Sequence, residues 1–121
     1  MTYTKIYPTE PADIAAAVVD AIDIDRRAFN MGTWCRLPEG EKELLPEFRP
    51  SCGTALCAAA WTVHCAGYTL VRGEAEAMKD GVLYNVPDLA ADLLHIPRGT
   101  YLWYECEEAA YDELKRIAGR R

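Results

Sequence analysis

Ser51-Cys52-Gly53-Thr54-Ala55-Leu56-Cys57-Ala58-Ala59-Ala60-Trp61-Thr62-Val63-His64-Cys65-Ala66-Gly67 is the stretch on which the reading of the whole chain turns. It predicts a central helix over about residues 51–66. Ser51 is placed to cap it, because a serine hydroxyl can accept a hydrogen bond from an otherwise unpaired first-turn N–H. Gly67 is placed to stop it, because glycine tolerates the left-handed conformation that ends helices. Between the two no side chain carries a fixed charge, and His64 alone can acquire one. A helix with no charged face is normally buried. Its side chains are mostly small, so neighbouring helices can approach its backbone closely.

Outward from this stretch, helical spacing recurs. Pro11 opens a first helix, with Thr9 as a candidate cap and Ile14, Val18, Ala21 and Ile22 on one apolar stripe that fades near Ile24-Asp25. Phe29 to Cys35 lacks a clean period and reads as an extended or tightly turned segment. Residues 37–50, with Pro38, Gly40, Pro46 and Pro50 among several glutamates, read as an acidic loop with at most one short turn. Tyr68-Thr69-Leu70-Val71 and Val82-Leu83-Tyr84 have strand character and can pair as one small hairpin around residues 73–80, the Asp80-Gly81 pair marking a turn. Pro87 opens another helix towards His95, a short helix carries Tyr101, Leu102 and Trp103, and Glu107 to Ala118 forms a terminal helix with Ala110, Tyr111, Leu114 and Ile117 inward. The fold expected is mainly α: four or five helices packed around the small-residue helix, with one hairpin at most.

The 121 residues suit a single domain, residues 1–121, with an irregular start at residues 1–8. Half the residues are hydrophobic, so a core can form without metal or disulfide staples. The net charge of −6 argues against generic nucleic-acid binding, which needs a basic face. Lys115, Arg116, Arg120 and Arg121 cluster near the C-terminus, where they complement a helix dipole. No apolar run approaches the roughly 20 residues of a membrane span, and residues 1–8 have no signal-peptide anatomy. The odd count of five cysteines predicts reduced thiols in a cytoplasm.

The combination Asn30-Met31, Trp34, Cys52-Gly53-Thr54, Cys57, Ala59, Trp61 resembles a signature, N-M-x-x-W then C-G-T-x-x-C-x-A-G-W, found in a group of small uncharacterised proteins of actinobacteria and their phages. The resemblance covers about residues 28–118. Ala60 stands where that group usually has glycine, and His95 where it usually has a helix-ending glycine, which weakens the expectation of a helix stop there. The resemblance implies a phage or actinobacterial setting and brings no established activity.

Three constellations could carry chemistry. Cys52, in the first turn of the expected helix, would be favoured as a thiolate by the helix dipole. A nucleophilic cysteine also needs a partnered base. His64, twelve residues on, would lie roughly 18 Å away by helix rise, and nothing places His95 beside Cys52. The plainer reading is that Cys52 packs as a small hydrophobe. A metal site would draw on Cys35, Cys52, Cys57, His64, Cys65 and Cys106, but no C-x-x-C pair occurs, and Cys57 and His64 would be about 10.5 Å apart along the helix axis; no zinc and no other cofactor is expected. The third is a pocket for a small anion at the helix N-terminus, built from Asn30, Trp34, Cys52, Gly53 and Thr54. Its rival is structural: Asn30 capping orphan N–H groups and the tryptophans filling the core. With no complete catalytic set, the function expected is non-catalytic: a small cytoplasmic, phage-associated protein that binds a host protein, as an inhibitor of host defence would, or a small anionic ligand, and neither membrane nor nucleic acid. The alternative is a cysteine-dependent enzyme using Cys52.

Overall fold

The computed structural model describes residues 6–50, 53–71 and 75–120. Helix α1 spans Pro11–Ile24, and a 3-10 turn follows at Arg26–Ala28. Strands β1 (Cys35–Arg36), β2 (Glu43–Leu44) and β3 (Ala55–Leu56) precede helix α2, Ala58–Cys65. Strands β4 (Thr69–Val71), β5 (Glu76–Lys79) and β6 (Val82–Asn85) lead into α3, Val86–Leu93. A second 3-10 turn, Tyr101–Tyr104, connects to α4, Glu107–Ile117.

The mainly α expectation is therefore wrong. Six strands form two sheets: β1 pairs antiparallel with β3, and an antiparallel sheet runs in the order β2-β4-β5-β6. The fold is mixed α and β. The error has three local sources. The central helix begins at Ala58, not Ser51, because Ala55 and Leu56 are drawn into pairing with Arg36 and Cys35. The loop expected over residues 37–50 contributes β2, whose Leu44 pairs with Leu70. The single hairpin is a three-stranded meander, because Glu76-Ala77-Met78-Lys79, a run of good helix formers, is a strand between β4 and β6.

The register explains why that run is extended. Leu44, Leu70, Ala77 and Tyr84 are consecutive cross-strand partners, one per strand, and form a row across the sheet. Leu44, Leu70 and Ala77 are buried, while their flanking residues are half-exposed or exposed. Helix α2 packs on this sheet at β4 and α3 at β6, and Ala77 is buried between those strands, so tertiary burial overrides helix propensity. Asp80 and Gly81 both have positive φ, at 53° and 77°, the requirement of a two-residue type I′ hairpin between Lys79 and Val82.

Helix α2 keeps its expected central place. Every residue from Ala58 to His64 is buried, and the helix packs on α1, α3 and β4. Its end is a Schellman motif: Tyr68 N donates to Val63 O at 3.1 Å and Gly67 N to His64 O at 3.1 Å, with Gly67 at φ +97°. The same motif ends α3, where Ile96 N donates to Ala91 O at 3.0 Å and His95 N to Asp92 O at 3.2 Å. His95 holds the left-handed position at φ +54°. The helix thus stops at His95 despite the missing glycine. Helix α1 starts at Pro11 with Glu10, not Thr9, at the cap position. Helix α4 buries Ala110 and Leu114 and leaves Tyr111 and Ile117 half-buried, packing on α1.

Candidate functional site

The residues expected to form an anion pocket fall around the start of α2, but the helix end there is closed by the chain itself. Met31 Sδ accepts from Ala58 N at 3.3 Å, and Cys57, at the cap position, accepts from Ala60 N through Sγ at 3.4 Å. The Phe29–Trp34 segment is held across β3 by Asn30 N donating to Leu56 O at 3.0 Å and Cys57 N donating to Trp34 O at 3.4 Å. Asn30 turns its Oδ1 back on Gly32 N at 2.7 Å, a local turn and not a helix cap. Trp34 is half-buried and meets Tyr104 edge to face, with ring centroids 6.2 Å apart. Gly53 is exposed beside Pro38 with φ +95°, and Thr54 is buried with its Oγ1 lacking a partner among the described residues. Cys52 and Ser51 lie outside the described residues. The case for an activated Cys52 rested on a helix beginning at Ser51; with the start at Ala58, Cys52 precedes β3 and lies six positions before the first helical residue.

Cys35 and Cys57, both buried, fit a packing role. Burial pushes the Cys35 thiol up to about 12, helped by the neighbouring Cys57 thiol, and pushes Cys57 up to about 11 against the backbone N–H groups that favour its thiolate. Both stay protonated at neutral pH. Among the described residues, no three His, Cys, Asp or Glu side chains gather as a metal site would require.

A cavity lies elsewhere, against the second half of α2. It encloses about 420 Å³. Trp61, His64 and Cys65 of α2 form its floor, and Ala17, Ala21 and Ile24 of α1 and the Pro46–Pro50 segment line its sides. Ile6, Tyr7 and Pro8 close one end. The floor is fixed. Trp61 Nε1 donates to Ala28 O at 3.2 Å, which ties α2 to the turn after α1, and the Trp61 and His64 rings meet edge to face at 5.9 Å. Alanines at positions 17 and 21, one turn apart on α1, provide the space, because a larger residue there would fill it. Three apolar side chains of the lining stand exposed, Ile6 at 90%, Ile24 at 66% and Phe48 at 58%.

Polar groups are few. Asp25 is engaged, its Oδ1 accepting from Arg27 N at 3.1 Å and Arg27 Nε at 3.3 Å. The Tyr7 hydroxyl is held above its ordinary range by burial and by the Glu47 carboxylate. Tyr7 itself lies over Gly67, where a Cβ would come within 2.8 Å of its ring. Arg49 lines the cavity from the loop wall and is exposed.

Of the residues expected to bind a ligand, the described ones, Asn30, Trp34, Gly53 and Thr54, do not line this cavity. One sequence signal pointed to it: Phe48 is an aromatic between Pro46 and Pro50 in a charged segment, where no core face accounts for it. The rest of the lining comes from segments far apart in sequence, and their meeting is a product of the tertiary fold. Among the described residues, no helix is long and apolar enough to cross a membrane. Comparison of the chain with known protein families, with curated proteins and with solved structures finds no match in any of the three.

Proposed function

We propose that this protein acts by binding and not by catalysis, and that its site is the cavity between α1, the Pro46–Pro50 segment and α2. The observation that carries the reading is the cavity itself: about 420 Å³, with a mainly apolar lining and a few polar groups, Asp25, Glu47, Arg49 and His64 among them. Sites for small molecules typically have this size and character, roughly 300–1,000 Å³ with a mainly apolar lining. The ligand class is a small, largely apolar molecule. The phage-associated setting and the host cytoplasm as its place of action rest on the resemblance of the Asn30–Trp61 signature. The alternative of a Cys52 enzyme has lost the helix start that motivated it.

Binding of a neutral fluorescent probe, N-phenyl-1-naphthylamine, tests the cavity. The wild-type protein is expected to bind it and to unfold at a higher temperature in its presence, since a ligand selective for the native state stabilises it. Ala21→Trp, which fills the cavity from a half-buried position on α1, is expected to abolish both effects. Probe binding that Ala21→Trp and Phe48→Ser both leave intact, in folded variants, would show that the cavity is not the site.

A further inference from the structure

We infer that the ligand of this cavity carries one anionic group, and that Arg49 receives it. The inference rests on the cavity being the binding site and adds the chemistry of the ligand's head. It begins with a census of the arginines. Among the described residues, Arg26, Arg27, Arg98, Arg116 and Arg120 are each in an ion pair with an aspartate or glutamate. Arg49 and Arg36 are in none. Arg36 lies on β1, away from the cavity lining, whereas Arg49 is part of it. A guanidinium with its donors uncommitted, at the mouth of an apolar cavity, is suited to a carboxylate or a phosphate, which it can bind with two parallel N–H···O bonds.

The acidic groups nearby do not cancel it. Asp25 is occupied by the backbone and side chain of Arg27. Glu47 lies close enough to Tyr7 to help burial hold the Tyr7 hydroxyl above its ordinary range, and both residues line the cavity. The cavity lining thus carries an acid, Glu47, already engaged with Tyr7, and a base, Arg49, with no ion pair among the described residues, beside the apolar side chains of Trp61, Ala21 and Phe48. An amphiphilic acid fits this polarity: its apolar body lies on Trp61 between α1 and Phe48, and its head points outward to Arg49. A fatty acid and a small aromatic acid share this chemistry.

Three ten-carbon probes separate the possibilities by displacing N-phenyl-1-naphthylamine at concentrations below micelle formation. Decanoate, decanol and decylamine have the same body and differ in the head. Decanoate is expected to bind at least about tenfold more tightly than decanol, the scale of one charge-assisted pair. Arg49→Gln, an exposed substitution, is expected to remove that preference and to leave decanol unaffected. Phenylpropanoate in place of decanoate then shows whether an aromatic or an aliphatic acid is preferred, and either result supports the anionic head. Equal binding of decanoate and decanol, or tightest binding of decylamine, overturns the inference while leaving the cavity as the site. Persistence of the decanoate preference in Arg49→Gln overturns the role of Arg49. A displacement series unchanged in Ala21→Trp would instead remove the cavity reading itself.

Discussion

His95 occupies a left-handed position at φ +54°, where a side chain with a Cβ is strained by roughly 1–2 kcal/mol. The Schellman hydrogen bonds at the end of α3 hold it there. Replacing it with glycine keeps those bonds and removes the clash, though glycine loses more backbone entropy on folding. His95→Gly is therefore expected to raise stability by about 0.5–1 kcal/mol, read as a higher denaturant midpoint at unchanged slope. The opposite holds at Gly67. It sits at φ +97°, and a Cβ there would lie 2.8 Å from the Tyr7 ring. Gly67→Ala is expected to cost about 1–3 kcal/mol from backbone strain and overpacking together. In a Tyr7→Ala background the steric part should vanish and the backbone part remain. An identical cost in both backgrounds would show that Tyr7 does not pack on this turn. The Gly67 stop was legible because its conformational demand is local. The Tyr7 contact was not, because it joins residues sixty positions apart.

At the scale of elements, α2 is the scaffold. Its side chains from Ala58 to Ala60 are fully buried, and Thr62, also fully buried, satisfies its hydroxyl by donating to Ala58 O at 2.8 Å within the same helix. Added volume in such a place has nowhere to go. Ala59→Leu is expected to lower stability by about 1–3 kcal/mol or more. Glu43→Leu, on the exposed side of β2, should change it by less than about 0.5 kcal/mol. Indistinguishable midpoints for the two would contradict the burial of α2. The strands tell the complementary story. β4 and β6 carry β-branched and aromatic residues and were legible. β5 and β3 carry alanine, glutamate, methionine, lysine and leucine, which favour a helix in isolation. Their conformation is decided by the partners they meet, Leu70 and Tyr84 for Ala77, and Cys35 for Leu56.

Across the whole molecule, α4 is tied to α1 by contacts between distant parts of the chain. Arg120 Nη1 donates to Asp20 Oδ1 at 2.7 Å, and the Tyr111 hydroxyl donates to Asp23 Oδ1 at 2.7 Å. The hydrogen bond from Arg120 holds the Asp20 carboxyl below its ordinary value. A carboxyl with a depressed native pKa contributes stability above the ordinary carboxylate range, and the contribution is lost as the pH falls through the depressed value. The Asp20→Asn variant is thus expected to be less stable than wild type at neutral pH, and the two should converge as the pH falls through the depressed Asp20 value. The Tyr111 hydroxyl is raised, chiefly by its hydrogen bond to Asp23, so its contribution is present below the ordinary tyrosine range and fades as the pH rises through the raised value. Tyr111→Phe should accordingly merge with wild type only in strong alkali, above about pH 10. Both pairs are exposed, so the differences are small and should shrink further in added salt. A difference between Asp20→Asn and wild type that does not shrink at all as the pH falls into the acid range would show that the pair is not the source.

The residues by themselves determined where the α-helices of this protein lie, though not the start of α2, the cap of α1 or the stop of α3 at His95. Periodic apolar positions mark α1 and α4, Pro11 and Pro87 mark starts, and Gly67 marks a stop, because helix formation depends on contacts within four residues. They also determined that the Ala58–His64 segment is buried, since it has no fixed charge to leave in water. The tertiary structure alone decided where α2 begins, because the choice between a longer helix and the β1–β3 pairing depends on Cys35 and Arg36, twenty residues away. It alone decided that Glu76–Lys79 is a strand. And it alone made the cavity, whose floor, walls and end come from α2, α1, the Pro46–Pro50 segment and residues 6–8. A concave surface is a relation between distant segments, and no short window of sequence contains one.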